Sequence, residues 1–563
     1  MSNFKNKKKK LIVLGLSYLA RDTSAVIMQN GQVISCCEEE RYNFEKHTRA
    51  FPINAIKDCL KMAGLKINKI DKIAIGFDPD LYHNYKIKIN RRPMPKQSEV
   101  RNEIKKLLNY KGLIEFHEHH LSHCASSYFP SGFDDSLVIS NDGIGEVACS
   151  MICHGKKNNI NIIKRENFFP NSIGIAYSAI TKYLGWGSGD EGIVMGLAPF
   201  GNRNQIVPGK KKSYKSYFKK IIKNKNLKYE IDSKWFAFPR VRDKWITNLF
   251  IRTFGKKRER DTEINQNHKN VASAIQGRIE DILINQLKYL NKKKRYKKLC
   301  IAGGVGLNCS LNGKIEQLKI FEEIFITPAS GDNGISLGAA YLSTVNEGIK
   351  IKKKKITNLS LGSKYTNDEI LKVLKNYKNI NYEKPRKFYQ KIAKNIYNKK
   401  IIGWFQGGSE FGPRALGNRS ILASPFPENM RDHVNNEVKF RESFRPFAPA
   451  VLEEDASKFF EIRQKSPYML IASKVKKDKI KKIPAVVHVD GSARLQSVNK
   501  IDNDVFYKLL KAFKKISGIP VLMNTSFNVK GQPIVNNPKI AIDTFLKTKI
   551  DILVIGNFIV KKK

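Results

Sequence analysis

The chain has 563 residues, of which 41% are hydrophobic, and a formal net charge of +51. This length predicts several domain-sized units, and because no stretch of about 18 uninterrupted apolar residues occurs, no membrane-spanning helix is predicted. The lysine runs that produce the charge are scattered and lack interleaved aromatic residues, so a nucleic-acid partner is disfavoured.

The cysteines indicate the redox environment. All eight lie at or before Cys309, and none shows paired C-x-x-C spacing. This usage argues against a disulfide framework and against a zinc cage, and it predicts a reduced, cytoplasmic protein.

The first predicted elements are three strands. Lys7–Lys10 followed by Leu11–Ala20 imitates the basic and apolar regions of a secretory signal. However, Arg21 and Asp22 follow the apolar run at once, and alternating apolar residues then continue on both sides of Gly31. The pattern favours a core strand that ends near Asp22, then a second strand, a turn and a third strand.

The next notable stretch, Glu118–His123, contains three histidines. If it is helical, His119 and His123 are four residues apart and share one face, which is a spacing used by metal ligands. The local pattern fits a metal site and a pair of solvated or hydrogen-bonded histidines about equally well.

The pattern of the opening strands then recurs. Leu137–Ser140 runs to Asp142, and two more strand-like segments follow, with a turn near Gly155. Two copies of strand, aspartate, strand, turn and strand predict an internal duplication, which is the layout of actin-like ATPases. Gly143 and Gly145 also fit part of a dinucleotide fingerprint, but that requires a helix after the glycines, and the β-type alternation argues against one.

Two glycine-rich loops follow predicted strands further on. Ala302–Asn308 follows Leu299–Ile301, and Pro328–Gly334 has Asp332 at its tip. Such loops let the backbone approach an anionic ligand, although either could be a tight strand-to-helix turn. A Walker-type phosphate loop is excluded, since no GxxxxGK[ST] sequence is present. The candidate nucleotide contacts in this half of the chain are Gly143, Gly145, Gly303, Gly304, Val305 and Asn308.

The composition changes after residue 345. Residues 346–385 are predicted to be a linker with one helix, and residues 401–452 concentrate arginine, whereas lysine is the main cation elsewhere. The planar fork of arginine matches phosphate or carboxylate. Within the stretches 403–420 and 439–449, which hold the arginines of interest, the acids are Glu410 and Glu442. Anion binding is therefore favoured over a purely structural role.

Taken in order, these motifs resemble the O-carbamoyltransferases of the nodulation, cephamycin and tobramycin type. The similarity covers nearly the whole chain and rests on Asp22–Ala25, Glu38–Arg41, His119–His123, Met195–Pro199, Ala302–Val305, Phe411–Ser420 and Asn524–Asn528. The resemblance implies an α/β chain with a duplicated actin-like domain over residues 1–345, the linker, and an α+β YrdC-like domain over residues 386–563.

The resemblance also implies a reaction in two stages. The C-terminal domain would use carbamoyl phosphate and ATP with Mg to form carbamoyl-adenylate. The N-terminal domain, similar to that of the universal tRNA-modification ATPases, would transfer the carbamoyl group to a hydroxyl and release AMP. The partner would be a hydroxylated small molecule or a saccharide, and a homodimer is one possible assembly.

In this family the N-terminal site carries an iron ion. Transferred motif by motif, its ligands would be His119, His123, Asp142 and Asp332, and two histidines with carboxylates suit Fe(II) or another divalent metal acting as a Lewis acid. His120, rotated about 100° around a helix, would be a structural or supporting residue.

The resemblance assigns phosphate contacts to the C-terminal domain. They would be Arg414, Lys439, Arg445 and Arg494, with hydrogen bonds from Asn524 and Ser526, and with Arg419 and Arg441 as weaker candidates. Asp22 is the candidate for orienting or deprotonating the acceptor hydroxyl, and a hairpin-tip carboxylate near phosphates is an equally good interpretation of it.

Two positions depart from the family pattern. Arg21 stands where a histidine usually precedes the aspartate, which puts the acceptor-side chemistry in doubt. Ile193 stands where Gly-Lys is common, which could alter nucleotide contacts. Neither position belongs to the proposed metal set.

Three functions follow from these observations. The leading hypothesis is an ATP-dependent O-carbamoyltransferase. The main alternative is a threonylcarbamoyl-type transferase acting on tRNA, which would account for the positive charge. The third is a non-catalytic nucleotide-binding module, to which the two departures point.

Overall fold

A computed structural model describes residues 10–88, 94–239 and 244–563. The first half of the N-terminal unit is a five-stranded sheet with helices. Its strands are β1 (Ile12–Ser17), β2 (Ser24–Gln29), β3 (Gln32–Glu38), β4 (Lys72–Ile75) and β5 (Leu113–Phe116), arranged in the order β3-β2-β1-β4-β5. Its helices are α1 (Glu40–Asn43), α2 (Ile53–Ala63), α3 (Pro79–Lys88), α4 (Gln97–Leu108) and α5 (His119–Ser131).

The three predicted opening strands are present, but β1 is shorter than expected. It ends at Ser17 instead of near Asp22. Leu19 and Asp22 have φ angles of 69° and 55°, and a left-handed backbone cannot continue a strand. Residues 18–23 therefore form a loop at the edge of the sheet.

The second half repeats this architecture. Its strands are β6 (Asp135–Asn141), β7 (Ala148–Lys156), β8 (Asn159–Phe168), the separate hairpin β9 (Ile222–Lys225) and β10 (Lys228–Ile231), then β11 (Lys298–Ala302) and β12 (Glu323–Ile326). Its helices are α6 (Ile173–Tyr183), α7 (Glu191–Leu197), α8 (Tyr214–Ile221), α9 (Asn248–Phe254), α10 (Gln266–Lys293), α11 (Cys309–Gln317) and α12 (Ile335–Asn346).

The strand order establishes the duplication. The second sheet runs β8-β7-β6-β11-β12. In each five-stranded sheet, numbered in chain order, the first strand pairs antiparallel with the second and parallel with the fourth (β1 with β2 and β4, β6 with β7 and β11). The duplicated actin-like α/β fold predicted from the sequence is thus confirmed. Gly143 and Gly145 lead into β7 and not into a helix, as the β-type alternation indicated.

The two halves meet through equivalent helices. Helix α5 follows the last strand of the first sheet, and α12 follows the last strand of the second. They approach closely at Gly338, where a Cβ atom would lie 1.8 Å from the backbone oxygen of Ser122. Only glycine permits this contact, which holds the N-terminal ends of the two helices near each other.

The C-terminal unit is an α+β structure built on one large mixed sheet. Its helices are α13 (Asn367–Leu374), α14 (Phe388–Tyr397), α15 (Met430–Val434), α16 (Ala456–Phe459), α17 (Lys477–Ile480), α18 (Asp504–Ser517) and α19 (Pro538–Leu546). Its strands are β13 (Ile380–Glu383), β14 (Ile402–Phe405), β15 (Arg419–Ala423), β16 (Ala448–Leu452), β17 (Ala472–Lys474), β18 (Ser492–Arg494), β19 (Gln496–Val498), β20 (Val521–Ser526), β21 (Ile552–Ile555) and β22 (Phe558–Lys562).

Eight of these strands form the sheet, in the order β13-β22-β21-β14-β15-β20-β16-β19. Residues of α14 and α18 pack in a core cluster on one face, and residues of α13, α15 and α19 pack in another cluster. Strand β13 lies within the segment predicted as a linker, yet it pairs with β22 and so belongs to this sheet. The helix expected in that segment is α13.

The two units share a buried interface. Tyr468, Leu470 and Ile471 of the C-terminal unit pack in the core of the second actin-like half. The side chain of Gln464 accepts a hydrogen bond from the backbone N–H of Ile324 at 3.0 Å and donates one to its carbonyl at 2.9 Å. These contacts hold the C-terminal sheet against β12.

Two further expectations concern cysteines and membranes. All eight cysteines are buried and none forms a disulfide, in agreement with the sequence. Among the described helices, none has both the length and the hydropathy needed to cross a membrane.

Candidate metal centre and anion-binding site

His119 and His123 lie in the first two turns of α5, as the spacing predicts. Both side chains are buried, and their Nε2 atoms are 3.0 Å apart. The carboxylate of Glu146 accepts hydrogen bonds from the backbone N–H groups of His119, at 2.9 Å, and Asp78, at 2.7 Å. It thereby satisfies a free donor at the start of the helix. Sequence reasoning missed Glu146 because nothing in the local pattern links a hairpin residue to a distant helix end.

Asp142 and Asp332 complete the cluster. The Nε2 atom of His123 is 2.8 Å from Asp142 Oδ2 and 3.7 Å from Asp332 Oδ1, and His119 Nε2 is 3.6 Å from each of the same two oxygens. Ligand atoms about 2.1 Å from a common ion lie about 3.0 Å apart at right angles and about 3.4 Å apart at tetrahedral angles. The four atoms therefore have the spacing of a metal-ligand set.

The electrostatics of the cluster also favour a cation. Asp142 Oδ2 is buried, and the Nε2 atoms of His123 and His119 lie 2.8 Å and 3.6 Å from it. Burial lowers the pKa of His123, but contacts with Asp142 and Asp332 outweigh it and raise the pKa to about 9. Burial and the charge of Asp142 raise the pKa of Asp332. Two neighbouring carboxylates that face the same imidazole nitrogens indicate a place for positive charge, and the donor set suits a divalent first-row metal.

The third histidine has a structural role, as expected. The ring nitrogens of His120 bond to Ser140 Oγ at 2.9 Å and to the carbonyl of Ala148 at 3.0 Å. Burial lowers its pKa to about 3, so the ring is neutral. Neither nitrogen is free to bind a metal.

The predicted glycines surround the candidate metal cluster, which consists of His119, His123, Asp142 and Asp332. The backbone N–H of Gly143 donates to Asp142 Oδ1 at 2.6 Å, and a Cβ at Gly304 would lie 3.0 Å from the same oxygen. A Cβ at Gly145 would lie 3.1 Å from His119. Gly303 has a φ of 83°, which favours glycine. These residues allow the backbone to pass close to the ligands.

The two other residues of the glycine loop differ in their surroundings. Asn308 Oδ1 accepts from the backbone N–H of Leu311, and the Asn308 amide exchanges hydrogen bonds with Gln276. Asn308 thus caps α11. Val305 is partly buried and packs against the N-terminal core.

Asp22 lies beside the metal cluster in the loop between β1 and β2. Its Oδ1 atom is 2.7 Å from Nδ1 of His47, a residue that the sequence analysis did not single out. The two residues are 25 positions apart, and no helical or strand spacing connects them. The backbone N–H of the neighbouring Arg21 donates to Asp332 Oδ2 at 3.2 Å.

The two departures from the family pattern lie in different surroundings. Arg21 uses its backbone for the contact with Asp332, and its guanidinium donates to the carbonyl of Ser188 at 3.3 Å. Ile193 is buried in the core of the N-terminal unit, on α7.

The predicted cations Arg414, Lys439, Arg441, Arg445 and Arg494 lie close to one another in the C-terminal unit. Lys439 is buried, and its Nζ donates to the carbonyl of Asn528 at 2.8 Å, to its Oδ1 at 2.7 Å and to the carbonyl of Ser526 at 2.9 Å. Burial, Arg441 and Arg445 together lower the pKa of Lys439 well below its usual range.

The arginines of this cluster lack sufficient counter-charge. Arg414, Arg441 and Arg494 each have a buried guanidinium nitrogen without a hydrogen-bond partner. Burial and the charge of Arg494 lower the pKa of Arg414 to about 9. Arg445 has a carboxylate near it, with Glu442 at 3.6 Å. Buried cations without partners are costly, so this cluster is suited to binding an anion.

Three of the other candidates can be placed relative to the anion-binding cluster. Asn524 is buried beneath it, donating to Gln496 Oε1 at 2.9 Å while its own Oδ1 has no partner. The hydroxyl of Ser526 donates to Asn528 Oδ1 at 2.7 Å. Arg419 stacks on Phe405 and donates to the carbonyls of Gln406 and Ser363, so it ties loops together.

A cavity of about 400 Å³ adjoins the cluster and is lined by residues of both units, including Arg258, Asn435, Arg441 and Lys530.

One segment of the N-terminal unit touches both sites. The indole of Trp186 donates to Glu442 Oε1 at 2.8 Å, beside the arginines, and His488 bonds to the carbonyl of Gly196 at 3.0 Å. The carbonyl of Ser188, in between, accepts from Arg21. The segment 186–196 therefore joins the anion-binding cluster to the surroundings of the metal cluster.

A second connection runs through buried charges. Arg41 donates to Glu38 Oε2 at 2.8 Å and to the carbonyl of Gly412 at 2.8 Å, and the other oxygen of Glu38 accepts from Asn333. Asn333 follows the metal-cluster residue Asp332, and Gly412 lies two residues before Arg414. This chain of contacts links the loops that carry the two sites.

Comparison with known proteins shows what the chain is similar to. Residues 12–341 match a family model described as the carbamoyltransferase N-terminus, and residues 393–562 match one described as the carbamoyltransferase C-terminus. The nodulation protein NolNO of Sinorhizobium fredii is 35% identical over 562 residues, covering 96% of this chain and 79% of that protein. The nodulation protein NolO of Bradyrhizobium diazoefficiens is 36% identical over 452 residues, covering 79% of each chain. An uncharacterised protein of Synechocystis, sll1178, is 33% identical, covering 98% of this chain and 96% of that protein.

Proposed function

The chain belongs to the carbamoyltransferase family and is therefore a transferase enzyme; from this premise we propose that it is an ATP-dependent O-carbamoyltransferase. Carbamoyl phosphate, ATP and water would give carbamoyl-adenylate, pyrophosphate and phosphate in the C-terminal unit. The N-terminal unit would then transfer the carbamoyl group to a hydroxyl and release AMP. The nodulation relatives make a saccharide or another small hydroxylated molecule the favoured acceptor class.

The observation that carries the proposal is the buried cationic cluster. Arg414, Arg441 and Arg494 each keep a guanidinium nitrogen without a partner, and Lys439 is held at the same site. Bound phosphate oxygens would supply the missing acceptors, and charge-assisted bonds of this kind contribute about 1.5 to 3 kcal/mol each. The cluster can thus hold carbamoyl phosphate and the phosphates of ATP with Mg, and neutralise the charge of the leaving groups.

The N-terminal cluster would serve the transfer step. His119, His123, Asp142 and Asp332 would hold Fe(II) or another divalent ion, which when bound would polarise a carbamoyl oxygen as a Lewis acid. A side chain at Gly145 or Gly304 would press against these ligands, so both glycines keep the backbone from crowding them. The burial of both histidines limits access of water, so carbamoyl-adenylate would be protected from hydrolysis.

The test separates the two stages. Purified protein is incubated with carbamoyl phosphate and labelled ATP, and pyrophosphate and AMP are measured with and without hydroxylated acceptors. We expect pyrophosphate release that depends on carbamoyl phosphate, and carbamoylated product when an acceptor is present. Absence of nucleotide turnover under all these conditions would contradict the proposal.

A threonylcarbamoyl-type transfer to tRNA is the second candidate, because the net charge is +51. In that case ATP cleavage would require threonine and bicarbonate in place of carbamoyl phosphate. Labelled threonine incorporated into tRNA would establish this alternative, and labelled carbamoyl phosphate transferred to a saccharide would exclude it.

A further inference from the structure

Asp22, the sequence-predicted candidate for orienting or deprotonating the acceptor hydroxyl, forms a pair with His47, to which neither the sequence nor the family comparison gives a role. Asp22 Oδ1 and His47 Nδ1 are 2.7 Å apart. Both residues have left-handed backbones, with φ of 55° and 57°, although neither is glycine. Non-glycine residues in left-handed conformations are concentrated at functional sites. These two backbone turns bring the side chains of Asp22 and His47 together.

The imidazole of His47 is held in a defined orientation. Its Nδ1 faces Asp22, and the backbone N–H of His47 donates to Glu40 Oε2 at 3.0 Å. When the ring is neutral, the proton on Nδ1 is donated to the carboxylate, and Nε2 keeps its lone pair. This is the arrangement in which a carboxylate orients a histidine base.

The Nε2 atom lies against the backbone of Gly189, where any side chain would collide with the imidazole ring. A Cβ at Gly189 would lie 2.2 Å from it, and Gly189 has a φ of 98°. The side chains of His47 and Asp22 are 35% and 30% exposed, so a small polar group can reach the pair. Through the backbone of Arg21, the loop of Asp22 is also bonded to Asp332 of the metal cluster.

We propose that His47 is the base that accepts the proton of the acceptor hydroxyl during transfer, and that Asp22 positions it. The inference rests on the proposed function and adds a catalytic residue to it. The acceptor oxygen forms a bond to the carbamoyl carbon, and its proton passes to His47 Nε2. The bond from that carbon to the adenylate oxygen breaks, and AMP leaves with the electron pair.

The charged groups that face His47 set its working range. The hydrogen bond with Asp22 raises the pKa of His47 most strongly, the charge of Glu40 acts in the same direction, and burial and Arg21 act in the opposite one. The base is active when neutral, so transfer should rise with pH through the raised pKa of His47.

The experiment compares the full-length protein with His47→Asn, Asp22→Asn and His433→Asn. Asparagine at position 47 can still donate to Asp22 but lacks a basic nitrogen, and His433 is an exposed histidine of α15. Pyrophosphate release reports the C-terminal stage. The N-terminal stage is followed by the transfer of labelled carbamoyl groups to chitotetraose or to tobramycin. Where neither acceptor reacts, transfer to water is measured instead. Both stages are measured across pH, with and without added imidazole.

We expect His47→Asn to lower transfer by about 100-fold to 10,000-fold, the usual contribution of a general base, with pyrophosphate release within twofold of the parent. Added imidazole should restore part of the transfer, and the pH dependence should disappear. Asp22→Asn should also reduce transfer, without adding to the effect of His47→Asn, since the two act as a unit. His433→Asn should behave as the parent.

Three outcomes would overturn the inference. Transfer at the parental rate in His47→Asn excludes a base at this position. Loss of transfer that imidazole does not restore, with an unchanged pH profile, assigns His47 a structural role only. Asp22, Glu40 and His47 also place ligand atoms within 4.8 Å of one another; if the parent binds a second metal ion that His47→Asn loses, these residues form a cation site instead. If the parent releases no pyrophosphate, the proposed function fails, and the role of His47 fails with it.

Discussion

The Nε2 atom of His123 faces two carboxylates in the candidate metal cluster. We predict that His123→Ala removes the bound metal and lowers carbamoyl transfer by about 100-fold or more, since even supporting residues of metal sites cost about 10-fold to 100-fold. Pyrophosphate release should be unchanged because it occurs in the other unit. Metal content by mass spectrometry and the two activities check this.

The matched control for that variant is His154→Ala. His154 lies on β7, outside the candidate metal cluster, and its Nε2 atom is 3.1 Å from Asp135 Oδ1 on β6. It should retain the parental metal content. Equal metal in His123→Ala and the parent protein would disprove the ligand assignment.

Arg445 belongs to the anion-binding cluster and has Glu442 at 3.6 Å as a nearby counter-charge. We predict that Arg445→Ala raises the KM for carbamoyl phosphate by about 10-fold to 100-fold, corresponding to loss of a charge-assisted hydrogen bond of about 1.5 to 3 kcal/mol. Steady-state pyrophosphate release measures this. Arg260→Ala, which removes an exposed arginine, should leave the KM unchanged. An equal rise of the KM in both variants would mean that the net positive charge of the protein, and not a contact of Arg445, determines the affinity for carbamoyl phosphate.

At the scale of secondary-structure elements, the contact between α5 and α12 constrains the position of the candidate metal ligands on α5. A Cβ at Gly338 would lie 1.8 Å from the Ser122 carbonyl. We predict that Gly338→Ala lowers the free energy of unfolding by about 1 to 3 kcal/mol through overpacking, and weakens metal binding because α5 shifts. Denaturant unfolding and metal titration test both effects.

Gly192 provides the comparison for that variant. It lies in α7, and a Cβ there would meet nothing within 4 Å. Gly192→Ala should be neutral or stabilising by up to about 1 kcal/mol, since alanine restricts the unfolded chain and favours helix. A destabilisation as large as that of Gly338→Ala would contradict the packing explanation.

The elements that the sequence could predict are those with local periodicity. The alternation around Gly31 and Gly155 identified both hairpins, and the repeated pattern identified the duplication, because strand order within a hairpin is decided by neighbouring residues. Strand β13 escaped because only one of its four residues is buried and its partner β22 is the last strand of the chain. Pairing between such distant segments leaves no periodic signal.

The residues of the candidate sites also differ in whether a local sequence pattern could reveal them. The spacing of His119 and His123 follows from helix geometry, and the concentration of arginine at 401–452 is visible in composition. His47 and Glu146 reach the site only through tertiary structure, since their partners are distant in sequence. The roles of all these residues remain predictions for the experiments described above.

At the scale of the whole molecule, a series of hydrogen bonds from Gly412 through Arg41 and Glu38 to Asn333 connects the two units. We predict that Arg41→Ala lowers the free energy of unfolding by about 3 to 5 kcal/mol, because Glu38 would be left as an unpaired buried charge. Both pyrophosphate release and carbamoyl transfer should fall, since the loops of Arg414 and Asp332 lose a shared support. Arg49→Ala, at an exposed position, should change neither stability nor activity.

Combining Arg41→Ala with Glu38→Gln distinguishes charge from packing. The double variant removes the unpaired carboxylate and should recover a large part of the lost stability. If it is as unstable as Arg41→Ala, the loss comes from the missing side-chain volume and the bond to Gly412.

The duplicated sheets bear on how such an enzyme can evolve. Each half carries one hairpin tip at the same edge, with Asp22 on the first and Asp142 on the second. Asp142 lies in the metal-ligand set, whereas Asp22 pairs with His47 outside it. The first tip still touches the candidate metal ligands, but only through the backbone N–H of Arg21, which any residue except proline could supply. Two copies of one ancestral hairpin would therefore have divided the work, with proton transfer beside one tip and ion binding at the other, and the departure at Arg21 falls on the proton-transfer copy.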